Sequence, residues 1–199
     1  MDTPAMDDLT RDLILAQDGD LEAFSRAARL AQPDIRRFCS WITGTKADLD
    51  DLEQETLLRM YRHLDSFRVE SRGISWILSI ARRVCLDHAR QSTRRRRLSI
   101  ALEHHTAIAQ HYNDSSTIHL EQSIHDLPEP LRESFVLVKL FGFTYAEVAD
   151  IIGCPLGTVQ SRVARARALL VTVLADGVGA ERDKSTKRFD SREWALLKN

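Results

Sequence analysis

The stretch GCPLGTVQSRVARARALL, residues 153 to 170, decides how the rest of the chain is read. It opens on Gly153 and Pro155, then runs to Leu170 with no strong helix breaker beyond Gly157. At about 100° per residue, Leu156, Val159, Val163, Ala166 and Leu170 fall on one face, which predicts a buried back. Ser161, Ala164 and Arg165 lie opposite, Gln160 and Arg162 flank them, and Arg167 sits nearer the buried edge. A solvated helix usually alternates charge signs along its outer face. Here no acid occurs from Cys154 to Val173. Small side chains let a helix sit deep in a groove, arginine reaches phosphate or guanine, and glutamine pairs with adenine. The pattern reads as a helix that enters the major groove of DNA.

The residues just upstream agree. In FTYAEVADIIG, Thr144 and Glu147 have the spacing of a capping box, and Ala149 is small where a partner helix would cross. Gly153 supplies the left-handed residue of a tight turn, and Pro155 blocks continuation of the first helix. The second helix is expected to start at Leu156 or Gly157. Together they form a predicted helix-turn-helix.

The chain of 199 residues is rich in helix formers, with only 8 Gly and 5 Pro and no long alternating β-branched run. The predicted fold is all-α: two small helical domains joined by a flexible linker, the C-terminal one a helix-turn-helix. Its net charge of −1 hides a segregation. Asp48, Asp50, Asp51, Glu53 and Glu55 form an acidic block, while Arg82, Arg83, Arg90 and Arg94 to Arg97 form a basic one. Such segregation predicts one basic and one anionic partner. Cys39, Cys85 and Cys154 are scattered, which argues against a disulfide framework or a zinc knuckle. No run is apolar enough for membrane insertion, and the acidic N-terminus lacks a signal-peptide pattern, so a cytoplasmic location is expected.

Residues 7 to 30 read as helical, broken at Asp18-Gly19-Asp20. Pro33 is expected in the first turn of a following helix that ends at Gly44 and Thr45. Asp48 is read as the cap of a helix through about Leu64, with Leu52, Leu57, Met60, Tyr61 and Leu64 buried. After the polar loop DSFRVESRG, ISWILSIARRVCLDHARQSTRRRR reads as one long helix with a basic end. Trp76 in it suits the core first. Basic surface beside aromatic rings also suits opened, single-stranded nucleic acid. The acidic block alone reads as a first turn that complements the helix dipole. Residues 98 to 118 read as the linker, and helical periodicity returns from His119.

The three pieces, DLEQETLLRMYRHLDSF, SWILSIARRVCLDHAR and LPEPLRESFVLVKLFGFTYAEVADIIGCPLGTVQSRVARARALL, occur in an order that resembles the extracytoplasmic-function (ECF) sigma factors of bacterial RNA polymerase. The pattern L-P-x-x-x-R-x-x-F (Leu127, Pro128, Arg132, Phe135) and G-T-V-x-S-R-x-x-R-A-R carry most of it. The resemblance implies a second sigma domain over 7–97, a linker over 98–118, a fourth sigma domain over 119–176 and an extension over 177–199. It implies that Asp51, Gln54, Glu55 and Leu58 dock on the β′ coiled coil of core RNA polymerase. The fourth domain would meet the β flap. Phe67, Arg68, Arg72, Trp76, Arg82, Arg83 and Arg90 would recognise and melt the −10 element. Thr158, Gln160, Ser161, Arg162, Arg165 and Arg167 would read the −35 element. An anti-sigma protein is a further implied partner. The chain departs from the family pattern at Gln160, where a basic residue is common, at Gly73-Ile74-Ser75-Trp76, and at Arg83.

A one-domain regulator of duplex operator DNA shares the helix-turn-helix, but it needs neither the acidic helix nor the Trp76 and arginine surface. A metal-dependent hydrolase would draw on His104, His105, His111 and His119, which no carboxylate or cysteine set completes. No catalytic activity, metal or cofactor is predicted. Residues 177 to 199 form an extension to which the sequence assigns no role; that Trp194, Leu196 and Leu197 fold back on a sigma domain is a hypothesis only.

Overall fold

A computed structural model describes residues 6–44, 48–69, 72–100 and 116–180, and the side chains of all of these but 93–119 and 174–180. The described residues fall in two units, one within Met1–His105 and the other within Thr106–Asn199. Both are built of helices, and no strand occurs among the described residues.

The first unit holds α1 (Asp8–Gln17), α2 (Leu21–Thr43), α3 (Leu49–Arg62), a 3₁₀ turn (Leu64–Ser66) and α4 (Gly73–Ile100). The break at Asp18-Gly19-Asp20 is where the sequence places it. Gly19 takes φ 97°, and the Asp20 carboxylate caps α2 by accepting from the amides of Glu22 and Ala23. The helix start expected at Pro33 is not there, because α2 runs straight through it. Ala23, Ala27, Ala31, Ile35, Phe38, Cys39 and Ile42 keep one buried stripe in phase on both sides of the proline. Pro33 and Arg29 face solvent, so water can satisfy the carbonyl that the ring leaves unbonded. Gly44, at φ 68°, closes the helix with its N–H on the Ser40 carbonyl.

Three expectations for α3, on Asp48, Tyr61 and Leu57, are corrected. Asp48 occupies the N-cap position and its carbonyl accepts from the Leu52 amide, but its side chain caps no helix amide, and its carboxylate lies 3.6 Å from His88 Nε2. Tyr61 is 53% exposed, its ring edge-on to Phe24 at 5.1 Å. Leu52, Met60 and Leu64 are buried as read, while Leu57 is half-buried. On α4, Ile77, Ile80 and Val84 are buried. Leu78, Ala81 and Cys85 join them, since α2 and α3 both pack on this helix and widen its apolar face. Cys85 Sγ lies 3.5 Å from Cys39 Sγ in this core.

The second unit holds α5 (Ser116–His125), α6 (Glu129–Lys139), α7 (Tyr145–Ile152) and α8 (Leu156–Ala180). The L-P-x-x-x-R-x-x-F pattern has a structural meaning. Leu127 and Phe135 are core, Pro128 opens α6, and Arg132 Nη1 donates to the carbonyls of His125 and Leu127 at the end of α5. Phe143, Val148, Ile151 and Ile152 complete the core beneath α8. Of the linker, residues 101–115 lie outside the described residues, as do residues 181–199, the histidines 104, 105 and 111, and the side chain of His119.

Candidate nucleic-acid interface

The helix-turn-helix forms as its sequence requires. Thr144 Oγ1 accepts from the Glu147 amide while the Glu147 carboxylate accepts from the Thr144 N–H, which completes the capping box. Gly153 sits at φ 73°, and α8 starts at Leu156. Val159, Val163, Ala166 and Leu170 are buried. Leu156, expected among them, is 46% exposed. It stands at the edge of the stripe in the first residue of the helix, where side chains lean past the N-terminus and away from the packed core.

The outward face keeps its predicted character. Gln160, Ala164 and Arg165 are exposed. Thr158, Ser161, Arg162 and Arg167 are half-buried. Ser161 Oγ donates to the Thr158 carbonyl at 2.9 Å, and Arg162 Nη1 lies 3.9 Å from Cys154 Sγ. Lys139 of α6 stands near Arg167, and burial followed by this like charge pulls its pKa below the ordinary lysine value. With no carboxylate from Cys154 to Val173, the charge that this stretch of α8 presents outward is uniformly positive.

In the first unit, Trp76, Arg83 and Arg90 recur every seven residues along α4 and so share one stripe. Arg83 and Arg90 are exposed, Trp76 and Arg82 half-buried, and Arg72 is exposed just before the helix. Arg90 Nη1 lies 3.6 Å from Asp87. Phe67 does not belong to this surface. It is 1% exposed and packs against the Trp76 ring, with centroids 5.3 Å apart. Its neighbour Arg68 is exposed, and Arg68 Nη1 donates to the carbonyls of Asp65 and Phe67. Phe67 thus serves as the floor under the loop, holding Trp76 from below.

The acidic block divides in two. Asp50 and Glu53 each accept from Arg36 Nη1 at 2.6 Å, Gln32 also donates to Glu53, and Glu53 is 6% exposed. These pairs hold the Arg36 pKa above its ordinary value, the hydrogen bond to Glu53 most of all. Glu55 is half-buried and bonded to Arg59, which also reaches Asp87 at 2.7 Å. Asp51 and Gln54 remain exposed beside Leu58, which is 50% exposed. The result is an outward stripe with two polar groups and an apolar edge. No group of three or more metal-ligating side chains occurs among the described residues.

Two helical units, one carrying an acidic stripe and an arginine–tryptophan surface and the other a basic helix-turn-helix, define a transcription initiation factor that joins polymerase to promoter DNA. Residues 27–95 match the model of Sigma-70 region 2, and residues 119–170 match that of Sigma-70, region 4. The chain is 36% identical over 156 residues to the ECF RNA polymerase sigma factor SigC of Mycobacterium tuberculosis, covering 76% of this chain and 81% of the relative. It is 36% identical over 149 residues to the ECF RNA polymerase sigma factor EcfG of Rhodopseudomonas palustris, covering 72% and 81%. Among solved structures it is similar to the sigma factor RpoE of Bartonella quintana, crystallised with the anti-sigma factor NepR. That likeness has a TM-score of 0.66 and 28% identity, covering 76% of this chain and 96% of the other. The chain belongs to the ECF family of RNA polymerase sigma factors. Its function is to direct core polymerase to promoters. No helix among the described residues is long and apolar enough to cross a membrane.

Proposed function

We propose that the two units divide promoter recognition between them. Residues 119–176 form the unit that reads the −35 element as duplex, with Gln160, Ser161 and Arg165 towards base edges and Thr158, Arg162 and Arg167 on phosphates. The observation that carries this is the α8 face itself, small and basic outward with no acid from Cys154 to Val173. Phosphate contacts fix register, and base-edge contacts specify sequence. The β flap of polymerase is the support for this unit.

Residues 7–97 form the unit that opens and holds the −10 element. Arg72, Arg83 and Arg90, with Arg68 and Arg82 beside them, track the displaced backbone, and Trp76 offers a ring to an unstacked base. Phe67 acts from beneath, through Trp76. Asp51, Gln54 and Leu58 dock on the β′ coiled coil, supported by the Glu55–Arg59 pair. Residues 98–118 connect the two readers, and 177–199 extend past the minimal plan. The protein acts in the cytoplasm, where polymerase is, and has no catalysis of its own. The Bartonella quintana relative, solved with its anti-sigma factor, supports a similar inhibitor as a partner here.

The test is direct. The purified chain is mixed with core polymerase and a library of genomic promoters, and transcript 5′ ends are counted. Specific starts that need the chain support the reading. Tight duplex binding by the chain alone, with core polymerase never redirected, overturns it.

A further inference from the structure

The −10 surface draws Arg68 from the residues after the 3₁₀ turn and Arg72 from the residue before α4, and both need a fixed position to meet an opened strand. The hold on both places comes from α1. Gln17 Nε2 donates to the carbonyls of Leu64 and Phe67, at 2.8 and 3.1 Å. Two turns earlier on the same helix, Thr10 Oγ1 accepts from the Gly73 N–H at 2.9 Å, and Thr10 is buried. Thr10, Leu13 and Gln17 stand at i, i+3 and i+7, so they share one face about 10 Å long. Both places are therefore held by one rigid rod.

The fit is close at both ends. A Cβ on Gly73 would stand 2.8 Å from Leu13 Cδ1 and 3.3 Å from the Thr10 Cα, so glycine is what lets α4 begin against α1. Phe67 is buried at the other end, and its carbonyl is shared between Gln17 and Arg68 Nη1. The rod is itself anchored. The Asp12 carboxylate, buried on α1, accepts from both Nε and Nη2 of Arg26 on α2. Family-model similarity begins at residue 27, so α1 with Thr10 and Gln17 lies outside the matched segment, while Leu64, Phe67 and Gly73, which it holds, lie within it.

We propose that α1 is a positioning element for −10 recognition, in which Gln17 and Thr10 set the place of Arg68, Arg72 and Trp76 without touching DNA. This rests on the −10 reading proposed above. Loss of either hold leaves the fold and the polymerase-docking stripe in place and loosens the strand-reading segment.

The experiment uses the full chain bound to core polymerase, and as probe the single-stranded −10 sequence that the wild-type holoenzyme selects from a random library. Gln17→Ala and Thr10→Val are compared with wild type for probe affinity, affinity for core polymerase and binding of −35 duplex. The expected result is probe affinity lower by about five- to tenfold in each variant, the scale of one or two lost hydrogen bonds. Core affinity and −35 binding stay unchanged, and Thr10→Ser, which keeps the acceptor, stays near wild type. Unchanged probe affinity in both variants overturns the clamp, as does a parallel fall in core affinity. If the wild-type holoenzyme selects no −10 strand at all, the −10 assignment itself is what fails.

Discussion

Arg132 offers the clearest energetic test of how the C-terminal unit holds its reading helix. Its guanidinium is half-buried and ties the end of α5 to α6 through the carbonyls of His125 and Leu127. Those carbonyls belong to a helix terminus and a turn, where an unmet acceptor has no partner within the helix. Hydrogen bonds from a charged donor contribute about 1.5–3 kcal/mol each. Part of this is offset because burial, the main influence on Arg132, already disfavours its charge and lowers its pKa. The net cost of Arg132→Ala is therefore about 2–3 kcal/mol. A unit of some sixty residues has roughly 3–9 kcal/mol of stability in total, so this is a large share. Native-state hydrogen exchange, read peptide by peptide, isolates the unit from the rest of the chain. The free energy of opening for amides in α6 and α8 is expected to drop by that amount, with amides of α2 unchanged. Protection of α6 unchanged to within about 0.5 kcal/mol would refute the tie, because that is the scatter expected of an ordinary surface substitution.

Other expectations follow from the same geometry. Arg165→Ala removes an exposed arginine from the front of α8 and should cost about 1–3 kcal/mol in −35 duplex binding, measured by titration of holoenzyme with wild-type and substituted sites. Asp51→Ala should weaken core polymerase binding while leaving promoter choice alone. Glu53→Ala, in contrast, should lower the melting temperature of the first unit, because it strips a half-buried Arg36 of its main partner. His125 carries a pH signature: burial, then the Arg132 charge, depress its pKa below the ordinary 6.5, against opposing pulls from Glu121 and Asp126. A depressed folded value means that the unfolded chain binds the proton first. The stabilisation is present above pH 6.5 and is lost as pH falls below it towards the folded value. Thermal melts from pH 7.5 to 5 should show this decline, and His125→Gln should flatten it.

What the sequence disclosed was mostly local. The Thr144–Glu147 box, the left-handed Gly153 and the apolar back of α8 follow from rules that act within a few residues, and all three are present. Where tertiary packing competes with a local rule, the rule loses. Pro33 is a helix starter by propensity, but a buried stripe in phase across it keeps α2 whole. Asp48 is a capping residue by type, but its carboxylate turns to His88. Resemblance assigns Phe67 to the DNA surface with Arg68, whereas successive residues of an extended segment face opposite ways, and Phe67 is buried while Arg68 is exposed. The acidic block was legible as charge, yet its division into buried Glu53 and exposed Asp51 depends on where Arg36 of α2 stands. Gln17 and Thr10 were missed as functional positions. Their signal was present as two polar residues on the stripe of α1 that also carries buried Leu13.

The central claim is that one chain reads two separate DNA elements for polymerase. The most direct measurement maps transcript 5′ ends from a fully randomised upstream library, using core polymerase with the wild-type chain, Arg165→Ala or Arg83→Ala. The account predicts two enriched sequence blocks at a fixed spacing from the start site. Arg165→Ala should relax only the upstream block, and Arg83→Ala only the downstream one. A single symmetric block, or both variants acting on the same block, would contradict it.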